Sequence, residues 1–214
     1  MKYVECNSID VYIDNLNWLD VEATQVGSGR FFSTNRNVKL PLIEINHWRI
    51  NTSILYHGAL AQDKIYLSFP IERESQIIDG KVFGSDSILA VLPDEDLLVL
   101  HPKLVETMDF LIPLAVLQDY YKYQNLTDTL PSLKNLRNKT TFSNIENLKI
   151  KQLINYTLSV IDQVSQWNYL AAVDAQDTIL VNILEILGES GGKKVICSSK
   201  HRVVVVKRAL AAIH

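Results

Sequence analysis

The segment Ile65-Tyr66-Leu67-Ser68-Phe69 decides the class of fold, together with Ile77-Ile78-Asp79-Gly80-Lys81-Val82-Phe83 just beyond it. In the first stretch apolar residues alternate with Tyr66 and Ser68, the period of a half-buried strand. In the second, Asp79-Gly80 between two apolar arms is a hairpin signal. Toward the N-terminus, Val38, Leu40 and Leu42 alternate before the phase slips to Ile43, Ile45 and His47, which predicts a bulge near Pro41. Toward the C-terminus, Ile88–Leu92 and Leu97–Leu100 are apolar on both faces, with Pro93-Asp94-Glu95 turning between them. Roughly six to nine short strands at this spacing predict a small barrel or sandwich.

Beyond Leu117 the period changes. Ser143-x-x-Glu146 is a capping box, and Ile150, Leu153, Ile154, Leu158, Ile161 and Val164 mark one face of a helix running to about Trp167. Asp174 is the expected cap of a second helix through Ile179, Leu180, Ile183, Leu184 and Leu187, with Gly188 closing it. A short connection and two apolar stripes predict an antiparallel helix pair. Ser199–His214 is ambiguous: four valines, Val203–Val206, favour a strand, whereas Arg208-Ala209-Leu210-Ala211-Ala212 favours a helix.

The chain has 214 residues, 47% of them hydrophobic and 21% charged, enough to bury a core and too apolar for disorder. No stretch approaches the ~18 apolar residues of a membrane span, and the N-terminus has no secretory pattern. Cys6 and Cys197 stand alone, so neither a disulfide framework nor a zinc knuckle is expected. These features predict a soluble, cytoplasmic protein without membrane association. Charge is uneven. All 24 acidic residues lie at or before Glu189, while six of the 21 bases follow it, so residues 1–189 sum to −9. Such a body repels phosphate backbones, leaving nucleic-acid affinity to the basic tail or to something beyond it.

Catalytic signatures are missing. A metal-holding barrel needs two histidines one residue apart on a strand, whereas His47, His57 and His101 are isolated. Glu44 and His47, three apart, fall on opposite strand faces. Gly27-Ser28-Gly29 is not set between strand and helix, and Asp94-Glu95-Asp96 reads as a solvated turn. Neither cysteine has a partnering histidine in sequence. No enzyme activity, metal or cofactor is expected. A ligand pocket is a different matter: Phe31, Trp48, Tyr56 and Tyr66 can line a barrel interior, with Arg30 or His47 as polar anchors.

The order of these features resembles a known family. Thr24-Gln25-Val26-Gly27-Ser28-Gly29-Arg30-Phe31 precedes a strand ending near Ile45; then come Arg49-Ile50-Asn51, Leu55, Gly58, the Ile65–Phe69 strand and the Asp79-Gly80 hairpin. This is similar to the N-terminal regulatory domain of AraC/XylS-type transcription regulators, near the branch of the ethanolamine-utilisation regulator. The resemblance implies an α+β chain: an N-terminal cupin-like β-barrel sensor over residues 1–117, then an antiparallel helical dimerisation region over 118–192. Residues 193–214 then correspond to a basic linker and the first helix of a DNA-binding domain that is otherwise missing, so that the fragment itself is not expected to bind DNA specifically. It also implies a homodimer, a small-molecule or protein effector, and DNA contact only through that C-terminal domain. The expected dimer contacts are Ile154, Leu158, Ile161, Ile183 and Leu187, unless those stripes bury against the barrel instead. Two rival expectations are a small cupin-type metal-dependent isomerase or oxygenase, and a standalone protein that forms mixed dimers with a full-length regulator.

Overall fold

Strands dominate the first half of the chain in the computed structural model, which describes residues 1–16, 19–60, 63–73, 75–83, 87–93, 96–101, 103–123 and 144–188. The strands are β1 (Lys2–Cys6), β2 (Leu19–Gln25), β3 (Ser33–Lys39), β4 (Glu44–Ile50), β5 (Ile54–Leu60), β6 (Lys64–Arg73), β7 (Gln76–Ile78), β8 (Lys81–Phe83), β9 (Leu89–Val91), β10 (Asp96–His101) and β11 (Val105–Pro113). A short helix α1 (Ile9–Asp14) follows β1; α2 (Leu114–Tyr123), α3 (Asn144–Gln163) and α4 (Tyr169–Gly188) follow β11.

All strand pairs are antiparallel, and they form two sheets. One runs β1-β3-β4-β11-β6-β9 and the other β2-β5-β10-β7-β8. Hydrogen bonds do not close the two into a barrel among the described residues, so the expected barrel takes the form of two facing sheets. Asp79-Gly80 makes the expected hairpin between β7 and β8, both residues having positive φ (48° and 76°), as a tight primed turn requires. The phase slip at Pro41 is a turn rather than a bulge. Leu40 N–H donates to the Ile43 carbonyl at 2.9 Å, and β3 folds back on β4. The bulge lies elsewhere, on β6, where Ile71 is extra between Pro70, opposite Thr107, and Glu72, opposite Glu106.

Cross-strand partners share a face, so the register sorts the six-stranded sheet into two surfaces. One carries Val38, Ile45, Leu67, Phe69, Met108, Phe110 and Ile112, which join the buried residues of α2, α3 and α4 in one aliphatic core. The rings of Phe69 and Phe110 meet edge-on there, 5.6 Å apart. The other surface carries Trp48, Ile50, Tyr66, Leu89, Val91, Val105 and Leu111 and faces the second sheet in a separate cluster with Tyr12, Phe31 and Tyr56.

α4 lies deep in the helical layer. Ile179, Leu180 and Ile183 are completely buried, and Gln176 Oε1 accepts the Leu42 N–H at 2.6 Å, tying the helix to the β3–β4 turn. Buried Asp177 accepts the Tyr120 hydroxyl of α2. The cap of α4 is Asn168, not Asp174: Asn168 Oδ1 accepts the Ala171 N–H at 2.9 Å, one and a half turns earlier than the apolar stripe suggests. Asp174 is an exposed interior residue of the helix. Ser143, Asp94, Glu95 and the segment 193–214 lie outside the described residues. No described helix is long and apolar enough to cross a membrane.

Candidate functional site: a pocket between the two sheets

The pocket begins with α1. Ser8 caps this helix by accepting the Val11 N–H at 3.3 Å, Asp10 sits favourably in its first turn, and Asn15 Nδ2 donates to the Val11 carbonyl at 2.7 Å. So anchored, the helix drives Tyr12 into the space between the sheets, where the side chain is 4% exposed. The Tyr12 ring meets Trp48 of β4 at 4.9 Å and 76°, and its hydroxyl lies 2.8 Å from that of Tyr56 on β5. The Tyr56 ring in turn meets His101 of β10 at 5.1 Å and 83°. Near-perpendicular rings give the cavity aromatic walls.

Tyr66 of β6 and Asp109 of β11 supply the polar part of the site. The Tyr66 hydroxyl donates to Asp109 Oδ2 at 2.7 Å, and Asp109 is 2% exposed. Asp109 stands in a polar row across the sheet, opposite Asn46 on one side and Ser68 on the other. Asn46 Oδ1 accepts from Asn35 at 3.0 Å and from Asn37 at 2.9 Å. Thr107 also lines the pocket, whose remaining walls are mostly aliphatic. The space left for the centres of water-sized molecules is about 70 Å³, several times the ~10–15 Å³ that one enclosed water needs. One wall is made possible by Gly58 on β5: a Cβ there would come within 2.1 Å of the Asp20 carbonyl oxygen on β2.

Burial pushes the phenols of Tyr12, Tyr56 and Tyr66 above the usual tyrosine range. Loss of hydration is the leading cause in all three. The Asp109 charge raises Tyr66 further, whereas the Tyr12 hydrogen bond partly offsets the shift on Tyr56. All three therefore stay neutral at physiological pH.

Of the residues expected to bind a ligand, Trp48, Tyr56 and Tyr66 line this pocket. Phe31 is buried one ring behind it, 5.6 Å from Tyr12. The two expected anchors are elsewhere. Arg30 is exposed in the β2–β3 connection, where its carbonyl accepts from Asn51. His47 neighbours Trp48 on β4 and therefore points to the opposite face. Its Nε2 is 2.8 Å from Glu106 Oε1, and Arg49 reaches the same carboxylate at 3.2 Å. The buried acidic group on the pocket wall is Asp109, which sequence reasoning did not single out, nor did it single out Tyr12. The signal for Asp109 was the alternation Thr107-Met108-Asp109-Phe110.

The expected dimer contacts are placed inside this chain's own core. Ile154, Ile161, Ile183 and Leu187 are between 0% and 6% exposed, and Leu158 is half-buried against the same cluster. Ile154, Ile161, Ile183 and Leu187 are thus packed within this chain, and only Leu158 keeps part of its surface. Among the described residues, the exposed large apolar groups on α3 and α4 are Leu148, Tyr169 and Leu170. No group of three or more His, Cys, Asp or Glu able to hold a metal ion occurs among the described residues.

Together these features make two antiparallel sheets that enclose a pocket with aromatic walls, with a helical layer packed on the outside. A solved structure has a similar fold. Over 92% of this chain and 73% of the other, the fold is similar to the crystal structure of the AraC-like transcriptional activator CuxR, at a TM-score of 0.61 and 10% identity. Shorter overlaps occur with EutQ from Clostridium difficile (53% of this chain, 97% of that one, TM-score 0.30, 11% identity) and an RmlC-like cupin from Shewanella frigidimarina (53% and 95%, 0.32, 17%). Those two scores are too low to carry an argument. No protein-family model and no curated protein matches the chain.

Proposed function

We propose that this chain is the effector-sensing and dimerisation domain of an AraC-type transcription regulator, not an enzyme. The observation that carries the reading is the similarity to an AraC-like activator over 92% of the chain, which takes in the helical layer as well as the strands. The pocket supports it, because a cavity with aromatic walls and a few convergent polar groups is what a small effector needs.

β11 is the mechanical link. Thr107 and Asp109 on one face of this strand line the pocket, while Met108, Phe110 and Ile112 on the other hold the helical layer. The strand then runs directly into α2 at Leu114. An effector that binds one arrangement of β11 better than another biases the helices by that difference in affinity, and by no more. Contact between protomers falls to Leu148, Tyr169 and Leu170, exposed apolar groups of α3 and α4.

Native mass spectrometry of the purified chain, with no ligand or metal added, tests the reading. The expected result is a dimer carrying an organic adduct that Trp48→Ala removes. A monomer retaining one transition-metal ion would overturn it.

A further inference from the structure

The outer face of the five-stranded sheet is apolar where it meets solvent. Cross-strand pairing puts Val82, Ile77, Leu100 and Leu55 in one row across β8, β7, β10 and β5, with Leu98 in the next row. Val82 is 70% exposed, Leu98 44% and Ile77 37%. Among the described residues the helical layer packs on the other sheet and leaves this row uncovered. The solvated face of an antiparallel sheet is ordinarily polar, and a contiguous apolar patch there marks an interaction surface. Exposed acids border it: Asp20 and Glu22 on β2, and Asp79 in the β7–β8 turn. His57 lies between Glu22 and Leu98 in the register.

The sequence supplies a matching segment. No acidic residue follows Glu189, and Lys193, Lys194, Lys200, Arg202, Lys207 and Arg208 give that tail +6 against −9 for residues 1–189. Val203, Val206, Leu210 and Ile213 are spaced three, four and three apart, the spacing of one helix face. At about 3.6 residues per turn, Lys200 and Lys207 flank that face on one side and Arg202 on the other. We infer that residues 199–214 dock on the outer face of the five-stranded sheet of their own chain, apolar stripe on apolar row and bases toward the bordering acids. Charge selects this occupant. A second copy of the same face would bring Asp20 and Glu22 against their like, and a nucleic acid would meet the same acids with repulsion. The ten residues 189–198 extend up to about 33–36 Å, more than the roughly 20 Å of two layer spacings. Nothing in this docking depends on the pocket or its effector.

Paramagnetic relaxation in NMR tests this on the full chain carrying Cys197→Ser and Ala211→Cys, with a spin label on the new thiol beside the apolar stripe. Cys6 is completely buried, so the label goes to the tail. The expected result is that the amide signals of Ile77, Val82, Leu98 and Leu100 lose most of their intensity while those of Leu148 and Leu170 keep theirs. Adding Ile77→Lys and Val82→Lys, at positions that are already exposed, should restore the Leu98 and Leu100 signals with the fold kept. A second sample mixes isotope-labelled chain lacking the spin label with spin-labelled chain lacking the isotope, and should show no loss. Loss at the same residues in that mixture would seat a second copy's tail there and overturn docking within one chain. Loss spread evenly over the chain, loss centred on α3 and α4, or no loss at the sheet would overturn the inference outright. Each of these outcomes leaves the effector-binding reading standing, since the pocket lies on the other face of this sheet.

Discussion

The two faces of the six-stranded sheet come from the same strands and differ in chemistry. Toward the helices, β6 and β11 present Leu67, Phe69, Met108, Phe110 and Ile112, all 0% exposed and all apolar. Toward the second sheet the alternate positions include the polar residues Tyr66, Ser68, Thr107 and Asp109 beside Val105 and Leu111. The first face is filled, as a core is when side chains interdigitate without polar atoms. The second leaves a cavity because hydroxyls and a carboxylate need directional partners and cannot close against one another like methyl groups. One strand set thus separates a filled core from an open pocket, and substitutions should sort accordingly.

The largest effect is expected from a charge on the helix-facing side. Ile161→Glu, at a position 1% exposed, should cost about 4 kcal/mol or more, because the carboxylate is buried without a partner. Urea denaturation with far-UV circular dichroism would show an unfolded chain. A folded monomer instead would mean that α3 presents this stripe to a second copy. Next comes Tyr66→Phe on the pocket side, which takes from Asp109 the hydroxyl donor at 2.7 Å. An expected loss of about 1–3 kcal/mol follows from leaving a buried acceptor short of a partner, with the midpoint in urea as the readout.

A third expectation concerns pH. The three pocket phenols have folded pKa values above the ordinary 10.0. In the window upward from about pH 10 the unfolded chain ionises them while the folded chain keeps them neutral, so the folded state binds more protons. Stability therefore falls as pH rises through that window and is unaffected by these groups below it. Tyr12→Phe should make the decline shallower, measurable as thermal midpoints across pH 9–11.5. The smallest effect belongs to the exposed residue Leu170, 72% exposed. Leu170→Glu should change stability by no more than about 0.5 kcal/mol while weakening self-association in sedimentation velocity.

The same contrast explains what the sequence revealed. Alternation placed Ile65, Leu67 and Phe69 in a core and the Asp79-Gly80 hairpin at its turn, because period two and positive φ are local properties. Tyr66 is legible as a pocket candidate because it is aromatic, but a small polar or acidic residue aimed into an enclosed pocket leaves the same alternation as one aimed at water. Asp109 was missed for that reason. His47 was mistaken for an anchor because being next to Trp48 in sequence means facing away from it on a strand. The stripes of α3 and α4 were correct as apolar faces, but periodicity does not say whether a face meets its own sheet or another chain. Tyr12 was illegible because a six-residue helix is too short to show a period.

Mapping backbone amide shifts by NMR during titration with benzylammonium and, separately, benzyl alcohol tests most directly whether binding belongs to the face between the sheets. The account predicts that either compound that binds moves Trp48, Tyr56, Thr107 and Asp109 most, with smaller changes passing through β11 into α2. Shifts centred on α3 and α4, or none with either compound at millimolar concentration, would contradict it.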